Sequence, residues 1–312
     1  MHVPVLLKEA IEYLNPKEGD TILDATFGGG GHAAAICELI APAGKLICLD
    51  QDKGTIKAAE IKFKKSKCKV VLINENFRNL DKVVEGKIDG AIFDLGFSSD
   101  QLIPPAGGPG RGFSFQKDEP LLMTLKSEIE NRDLTAREIV NQWREEEIAD
   151  VLYKYGEERY SRRIAKAIVE RRSQPDKFIL AGKKAIETTF DLVDIIRSSV
   201  PAVYRNNRRI NCATRTFQAL RIAVNDELNA LEEGLKKAWD KLEKEGRLVV
   251  ISFHSLEDRI VKNFFRDKAK ADPNMRASKG KILTKKPVTP AEEEIKNNPR
   301  SRSAKMRAII KL

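Results

Sequence analysis

Four groups of residues in the first hundred positions have types and spacing suited to chemistry. Asp24-Ala-Thr-Phe-Gly28-Gly29-Gly30-Gly31-His32 is a glycine run flanked by a carboxylate and an imidazole. Successive glycines let the backbone turn sharply and leave no side chain between main-chain N–H groups and a ligand. Asp50 follows, 22 residues after Gly28, where a carboxylate can accept both hydroxyls of an adenosine ribose. Asn76-Phe77 offers a polar and an aromatic group for the two faces of an adenine, and Asp94 adds a further carboxylate. The spacing Gly28-x-Gly30-x-x-Ala33 also fits a dinucleotide fingerprint, so a nicotinamide site stays open, as does a tight turn with no ligand at all. Asp24, four residues before the glycines, is placed to hold an ammonium group, and Asp94 lies where a reacting methyl would sit. A nicotinamide site needs neither, and the set favours S-adenosylmethionine.

The elements that must position these groups are legible as hydrophobic runs. Thr21–Thr26, Lys45–Asp50, Lys69–Ile73 and Ile88–Asp94 are short and apolar, and helical patterns at 32–40 and 55–64 separate the first three. Such alternation indicates β-α-β units and a parallel, doubly wound sheet, whose ligands bind beyond the carboxyl ends of the strands. From about Pro104 to Asn211 no run reads as a strand; a Gly/Pro-rich loop leads into helices with Ile148, Val151, Leu152 and Tyr155, then Ile164 and Ile168, at helical spacing. The pattern resumes with one long helix from about Thr216 to Lys241, the strand Arg247–Phe253 and a helix from Leu256. The sequence therefore predicts one domain in two parts, 1–103 and 212–312, with a helical domain at 104–211 inserted between them.

Composition narrows the function classes. The 312 residues are 41% hydrophobic and 33% charged, which excludes a disordered or collagen-like chain. No run approaches the roughly 18 consecutive apolar residues of a membrane span, and Lys8, Glu9 and Glu12 interrupt what a signal peptide would keep apolar. The four cysteines have no C-x-x-C spacing and there are three histidines, so no metal site is expected, and the cysteines read as reduced packing residues of a cytoplasmic protein. Net charge is +10, concentrated at the end: from Arg259 to Leu312 sixteen basic residues stand against five acidic. A basic tail on a near-neutral body suits a polyanion, or simply a solvated end. Asn298-Pro-Arg300-Ser-Arg302-Ser, with Lys305 and Arg307 beyond it, mixes cations with polar donors in the manner of a phosphate-binding segment.

Longer strings carry a resemblance. His2-x-Pro4-Val-Leu-Leu7, Gly30-Gly31-His32, Asp94-Leu-Gly-Phe-Ser-Ser99 with Gln101, Arg111-Gly-Phe-Ser-Phe115, Tyr155-Gly-Glu-Glu-Arg159, Ala213-Thr-Arg-Thr-Phe-Gln-Ala-Leu-Arg221, Ser252-Phe-His-Ser-Leu-Glu-Asp-Arg259 and Asn298-Pro-Arg-Ser-Arg-Ser303 occur in this order. The chain closely resembles the ribosomal RNA small subunit methyltransferase H family, also called MraW, from His2 to about Lys311. The resemblance implies a class I (Rossmann-like) methyltransferase fold with an inserted helical, substrate-recognising domain. The implied reaction is methyl transfer from S-adenosylmethionine to the exocyclic N4 amine of a cytidine in 16S rRNA, at the decoding centre of the small ribosomal subunit. Carried over by position, Gly30, Gly31, His32, Asp50, Phe77, Asp94 and Gln101 would contact the cofactor, beside Asp24 and Gly28. The chain departs from the family in two places: Gly29 stands where the family usually has a basic residue, and Asp118-Glu-Pro-Leu-Leu122-Met-Thr124-Leu-Lys126 stands where the family has a pattern like Asp-Gly-Pro-Leu-Asp-Met-Arg-Met-Asp, so two carboxylates and an arginine are replaced.

A cytidine amine is a poor nucleophile, and its methylation needs an acceptor that orients it and takes up charge. Asp94, Leu95-Gly96 and Ser98-Ser99 are the expected wall beside the methyl. His254 is either a substrate contact or a loop-fixing cap. Arg111, Phe113 and Phe115 are expected to clamp RNA or to pack on the inserted domain. Arg205, Arg208 and Arg209 form a basic patch at the junction, Arg215 opens the returning helix, and Arg300 and Arg302 lie in the basic segment. Arg159, Arg162, Arg163, Arg171 and Arg172 read as a solvated face offset by Glu157, Glu158 and Glu170, and Trp143 and Trp239 as core. Two rivals remain: a nicotinamide-dependent oxidoreductase, and an RNA-binding ribosome-assembly factor whose transferase activity is weak or redirected.

Overall fold

A computed structural model describes residues 4–96, 110–130, 133–173, 185–206, 210–270 and 279–312. The chain divides into two compact units, Met1–Ser99 with Lys126–Glu128 and Leu228–Leu312, and Asp100–Leu125 with Ile129–Glu227.

The first unit opens with α1 (Leu7–Leu14), then β1 (Thr21–Asp24), α2 (Gly31–Ile40), β2 (Lys45–Asp50), α3 (Lys53–Lys62), β3 (Lys69–Asn74), a 3-10 turn at Phe77–Asn79, α4 (Leu80–Val83) and β4 (Ile88–Asp94). The second unit is helical: α5 (Ala136–Gln142), α6 (Glu145–Gly156), α7 (Ser161–Ser173), α8 (Thr189–Ser199), α9 (Ala202–Arg205) and α10 (Thr214–Asn225). The chain then returns to the first unit with α11 (Glu227–Lys241), β5 (Leu242–Ser252), α12 (Ser255–Ala269), β6 (Gly280–Ile282), α13 (Glu292–Asn297) and β7 (Lys305–Lys311). The seven strands form one sheet in the order β3-β2-β1-β4-β5-β7-β6. Strands β1 to β5 are parallel, and β7 runs antiparallel to β5 and β6. All four predicted strands are present; β1, β2 and β4 are buried on both faces, which requires near-continuous apolar runs, and β3, at the sheet edge, is half-buried from Val70 to Ile73. Ile22, Leu46, Ile92 and Val249 face one apolar layer, and Leu23, Ile47, Phe93 and Val250 the other. The order reverses between β1 and β4, so the crevice at their carboxyl ends is the switch point where such sheets take ligands.

In the helical unit Ile148 and Leu152 of α6 and Ile164 and Ile168 of α7 are fully buried, as their spacing predicts. Gly156 permits the approach of α10, since a Cβ there would come within 2.5 Å of the Arg215 carbonyl oxygen. Trp239 is core, with the Lys268 and Lys311 ammonium groups over its ring. Trp143 is only half-buried.

Four expectations need correction. The helix expected over Thr216–Lys241 is two helices, because Asp226 adopts φ 49° and closes α10 by donating its N–H to the Ile222 carbonyl. The division between units falls there, after Glu227, and not at 211. Cys37 and Cys68 are joined by a disulfide with Cα atoms 5.5 Å apart, whereas only Cys48 and Cys212 are free and buried. The pair escaped the spacing test because α2 and the start of β3 are brought together by the sheet. Finally, the basic end is no loose tail. Lys305–Lys311 is a strand inside the sheet, and the buried Arg307 grips Asp258 with two bonds, Nε to Oδ1 at 2.7 Å and Nη2 to Oδ2 at 3.1 Å. Lys311 places Nζ over the Trp239 ring, 5.8 Å from its centre, and donates it to the carbonyls of Trp239 and Leu242, so the cationic heads of this strand are engaged within the fold.

Candidate functional site

Ligand-facing groups of the first unit gather at the carboxyl ends of β1, β2 and β4. Asp24 ends β1 and is 2% exposed; its Oδ1 accepts the N–H of Thr26 at 3.1 Å. Burial pushes its carboxyl up to about 7, the Thr26 N–H opposes this, and the charge of Asp50 adds to it. Asp94 ends β4, and its own N–H donates to Thr26 Oγ1 at 2.6 Å, tying the two strand ends together. The Oδ1 of Asp94 is buried with no hydrogen-bond partner among the described residues. Burial, with Asp24 and Glu257 adding negative charge, drives its carboxyl well above the usual carboxylate range. A carboxyl kept neutral in this way is a mark of sites that await a ligand or a proton.

The glycine turn is held from beneath. Asp50 accepts the N–H of Gly28 on Oδ2 at 2.9 Å and that of Asp52 on Oδ1 at 2.8 Å. A carboxylate offers about four acceptor sites in all. Lys62 donates Nζ to the carbonyls of Gly29, at 2.6 Å, and Gly30, at 3.3 Å. Gly30 precedes α2 at φ 67°, and a Cβ on it would strike the Phe27 ring at 2.4 Å. The next residue, Gly31, abuts Pro4 and starts the helix whose second residue is His32. The buried His32 ring has Nε2 3.0 Å from the Val5 carbonyl oxygen, and Nδ1 lies 3.6 Å from Asp94 Oδ2. Phe77 stands edge-on to Phe93, ring centres 5.5 Å apart, and close to Gly234 of α11. Asn76 caps the 3-10 turn through Oδ1 and donates Nδ2 to Gln51 Oε1.

His254 caps α12: its Nδ1 accepts the Glu257 N–H at 3.4 Å, and Glu257 Oε2 in return accepts the N–H groups of Phe253 and His254. Its Nε2 lies 3.1 Å from Glu257 Oε1, so the capping alternative describes what the ring touches. Ser98, Ser99 and Gln101 lie outside the described residues, as do Arg208 and Arg209. In the helical unit Arg111 donates Nη1 to the Leu125 carbonyl, Phe113 is buried, and Phe115 packs edge-on against Phe217. These are packing contacts within the unit. Arg205 and Arg215 donate to main-chain carbonyls, of Arg197 and Glu157. Arg300 and Arg302 are exposed in a 3-10 turn at Pro299–Ser303.

Sequence reasoning missed Thr26, Lys62 and Glu257. Thr26 had a signal in its place between Asp24 and the glycines, whereas Lys62 and Glu257 act from elements too distant in sequence to be paired with the loop or with Asp94. Within 118–126, Leu122 is half-buried, Thr124 buried and Lys126 exposed. The segment is pinned by Asn225, whose Oδ1 accepts the Leu125 N–H and whose Nδ2 donates to the Met123 carbonyl. The buried Glu119 accepts the Gly112 N–H on Oε2 at 3.0 Å.

Buried carboxylates with a polar atom left over, beside a main-chain turn, suit a ligand that is cationic and carries a hydroxylated sugar. Among the described residues no helix is long and apolar enough to cross a membrane. Comparison with known proteins agrees with the geometry. The model of the MraW methylase family matches residues 1–312. A ribosomal RNA small subunit methyltransferase H of Heliobacterium mobile is 48% identical over 325 residues, spanning 100% of this chain and 99% of that protein. Proteins of the same name from Symbiobacterium thermophilum and Thermotoga neapolitana are each 45% identical, the first covering 100% of this chain and 96% of its own length, the second 98% and 95%. The chain belongs to the MraW methylase family.

Proposed function

We propose that this protein is an S-adenosylmethionine-dependent methyltransferase of small-subunit ribosomal RNA, and that its acceptor is the N4 amine of a cytidine in 16S rRNA at the decoding centre. The observation that carries the cofactor half is the pair of buried carboxyls, Asp24 and Asp94, the second with Oδ1 unpartnered, beside a glycine turn that Asp50 supports. Membership of a methylase family, with relatives named for ribosomal RNA, supports the substrate half and sets aside the nicotinamide alternative.

The donor supplies an electrophilic methyl on a sulfonium, which leaves as a neutral thioether. The chain's own residues do the rest. Asp24 would hold the ammonium, Asp50 the ribose hydroxyls, Phe77 a face or edge of the adenine, and the main chain of Gly28, Gly30 and Gly31 would line the turn, with His32 behind it. Asp94 has the proton work. A neutral carboxyl cannot accept the proton that the amine sheds as its nitrogen bonds to carbon, but a cation placed beside a carboxyl favours its ionised form. Donor binding would thus convert Asp94 from an acid into an acceptor at Oδ1, with Ser98 and Ser99 completing the wall. The target base must leave its stack to reach this crevice. Arg205, Arg208, Arg209, Arg215, Arg300 and Arg302 are the proposed phosphate contacts. Arg111, Phe113 and Phe115 would shape the substrate side from within.

The test is transfer of labelled methyl to small ribosomal subunits from cells lacking the protein, followed by digestion to nucleosides. Label in N4-methylcytidine is expected. Label in another nucleoside would overturn the acceptor assignment. Tight binding of S-adenosylhomocysteine and of subunits without transfer would favour the assembly-factor alternative.

A further inference from the structure

Within the helical unit, the run of arginines read from sequence as a solvated face has an internal organisation. Arg159, at the end of the turn after α6, lies between two rings, its guanidinium 5.0 Å from the centre of Tyr160 and 4.9 Å from that of Tyr204. The rings meet edge to face at 4.9 Å, and Arg163 sits 6.0 Å over Tyr160. One carboxylate ties the Tyr160 main chain to the Tyr204 ring. Glu158, fully buried, accepts the Tyr160 N–H on Oε1 at 2.8 Å and the Tyr204 hydroxyl on Oε2. Arg205 adjoins Tyr204 in α9 and bonds the Arg197 carbonyl, while Arg215 bonds the Glu157 carbonyl.

The charge pattern separates this cluster from the rest of the unit. Arg137, Arg144 and Arg221 each face a carboxylate, at 2.8, 2.9 and 2.8 Å. Among the described residues Arg159, Arg163, Arg197, Arg205 and Arg215 form no ion pair. Glu158, the buried carboxylate beside Arg159, has both oxygens engaged, by the Tyr160 N–H and the Tyr204 hydroxyl. Unpaired guanidiniums lying on aromatic planes, over a rigid buried support, are the chemistry that recognises a single strand: planes for an unstacked base and forked donors for phosphates.

We infer that Arg159, Tyr160 and Tyr204 form a platform for an unpaired base of the RNA substrate, with Arg163, Arg205 and Arg215 around it holding the adjoining phosphates. This rests on the RNA-methyltransferase reading above and adds to it a binding position in the helical unit. An acidic protein segment would be drawn to the same charges but would make no use of the planes.

The experiment measures binding of the full chain to isolated small ribosomal subunits and to a fluorescent single-stranded 12-nucleotide pyrimidine RNA, across a salt series. S-Adenosylhomocysteine binding is measured in parallel, and thermal unfolding verifies that each variant is folded. Arg159→Ala and Arg159→Lys should both weaken RNA binding about tenfold, because lysine keeps the charge and loses the plane. The double variant Arg205→Gln/Arg215→Gln should lower the salt slope by about 1.4, at roughly 0.7 per phosphate contact on a single strand. Arg144→Gln, which removes a paired arginine from the same unit, should change neither. Affinity and salt slope equal to wild type in both the Arg159 and the double variants would overturn the platform while leaving methyl transfer intact. Arg159→Lys behaving as wild type, with Arg159→Ala impaired, would reduce the site to a charge contact and refute base stacking. Failure of the wild-type protein to bind RNA or transfer methyl would instead sink the reading on which the platform rests.

Discussion

Asp24 gives the sharpest quantitative test, because its burial has a consequence for folding as well as for ligand binding. Its carboxyl moves from an ordinary 3.8 to about 7 on folding. At roughly 1.36 kcal/mol per pKa unit, this corresponds to about 4 kcal/mol. The sign follows from proton counting. Between pH 3.8 and about 7 the folded chain holds the proton and the unfolded chain has released it, so stability falls as pH rises through this window and levels off above it. Asp24→Asn replaces the neutral acid with a neutral isostere that still accepts the Thr26 N–H. The variant should match wild type near pH 4 and exceed it by up to about 4 kcal/mol at pH 8. Relief of Asp94, whose carboxyl is raised partly by Asp24, would add to that gain. The same variant should bind S-adenosylmethionine at least tenfold more weakly at pH 8, since it has lost the charge proposed to meet the ammonium. Wild-type affinity should rise with pH up to about 7, with proton release visible as a buffer-dependent heat in calorimetry. Denaturant unfolding at half-unit steps from pH 4 to 8.5 reads the first effect and calorimetry the second. A variant that is less stable than wild type at pH 8, or a wild type whose stability climbs from pH 5 to 7, would refute the reasoning.

Asp94→Asn should leave donor affinity within about tenfold and cut methyl transfer by 10²–10⁴, the range of a lost general base; unchanged single-turnover rates would remove Asp94 from the acceptor role. With four cysteines in the chain and Cys37 bonded to Cys68, denatured protein should titrate two thiols without reductant and four with it, and Cys37→Ser/Cys68→Ser should cost about 2–4 kcal/mol in denaturant unfolding. Four thiols in unreduced protein would show the bridge to be absent in solution. Arg307→Ala should cost up to about 3 kcal/mol, because Asp258 loses its two-bond partner and keeps, among the described residues, only Lys305 Nζ, at 3.9 Å, whereas adding Asp258→Ala should recover part of that loss; a double variant as unstable as the sum of the singles would mean the pair contributes nothing as a pair.

The parts of the fold that were legible in sequence are those where one local rule dominates. Doubly covered strands must be continuous apolar runs, and Ile22–Leu23, Leu46–Leu49 and Ala91–Phe93 could hardly be anything else. The glycine turn and the carboxylates at the strand ends were legible for the same reason, since each belongs to one element and one spacing. What was not legible depends on a distant partner or a single torsion. The apolar period runs on through Asp226, and only its left-handed backbone divides α10 from α11. Lys305–Lys311 looks like the end of a basic tail until Asp258 and the carbonyls of Trp239 and Leu242 take up its charges. Glu257 reads as one acid of a charged helix start, yet it is buried, and its effect on Asp94 exists only because the sheet sets β4 beside β5.

That last pairing bears on how the crevice can prefer its ligand. Asp24 and Asp94 are both buried, and Glu257 adds to the negative field on Asp94. Asp24 and Asp94 in one low-dielectric region resist being ionised together, because burial and like charge both raise the Asp94 carboxyl. The protein without a ligand therefore relieves the repulsion by keeping protons. A cation can take over that task, releasing the protons and regaining the carboxylate charge in proportion to its own. Methyl transfer removes the sulfonium charge and leaves only the ammonium, so the reaction itself discharges part of what held the donor. The same carboxyls that make the empty site costly near neutral pH would then favour donor over product, and the cost to folding worked out for Asp24 is the other side of that selectivity.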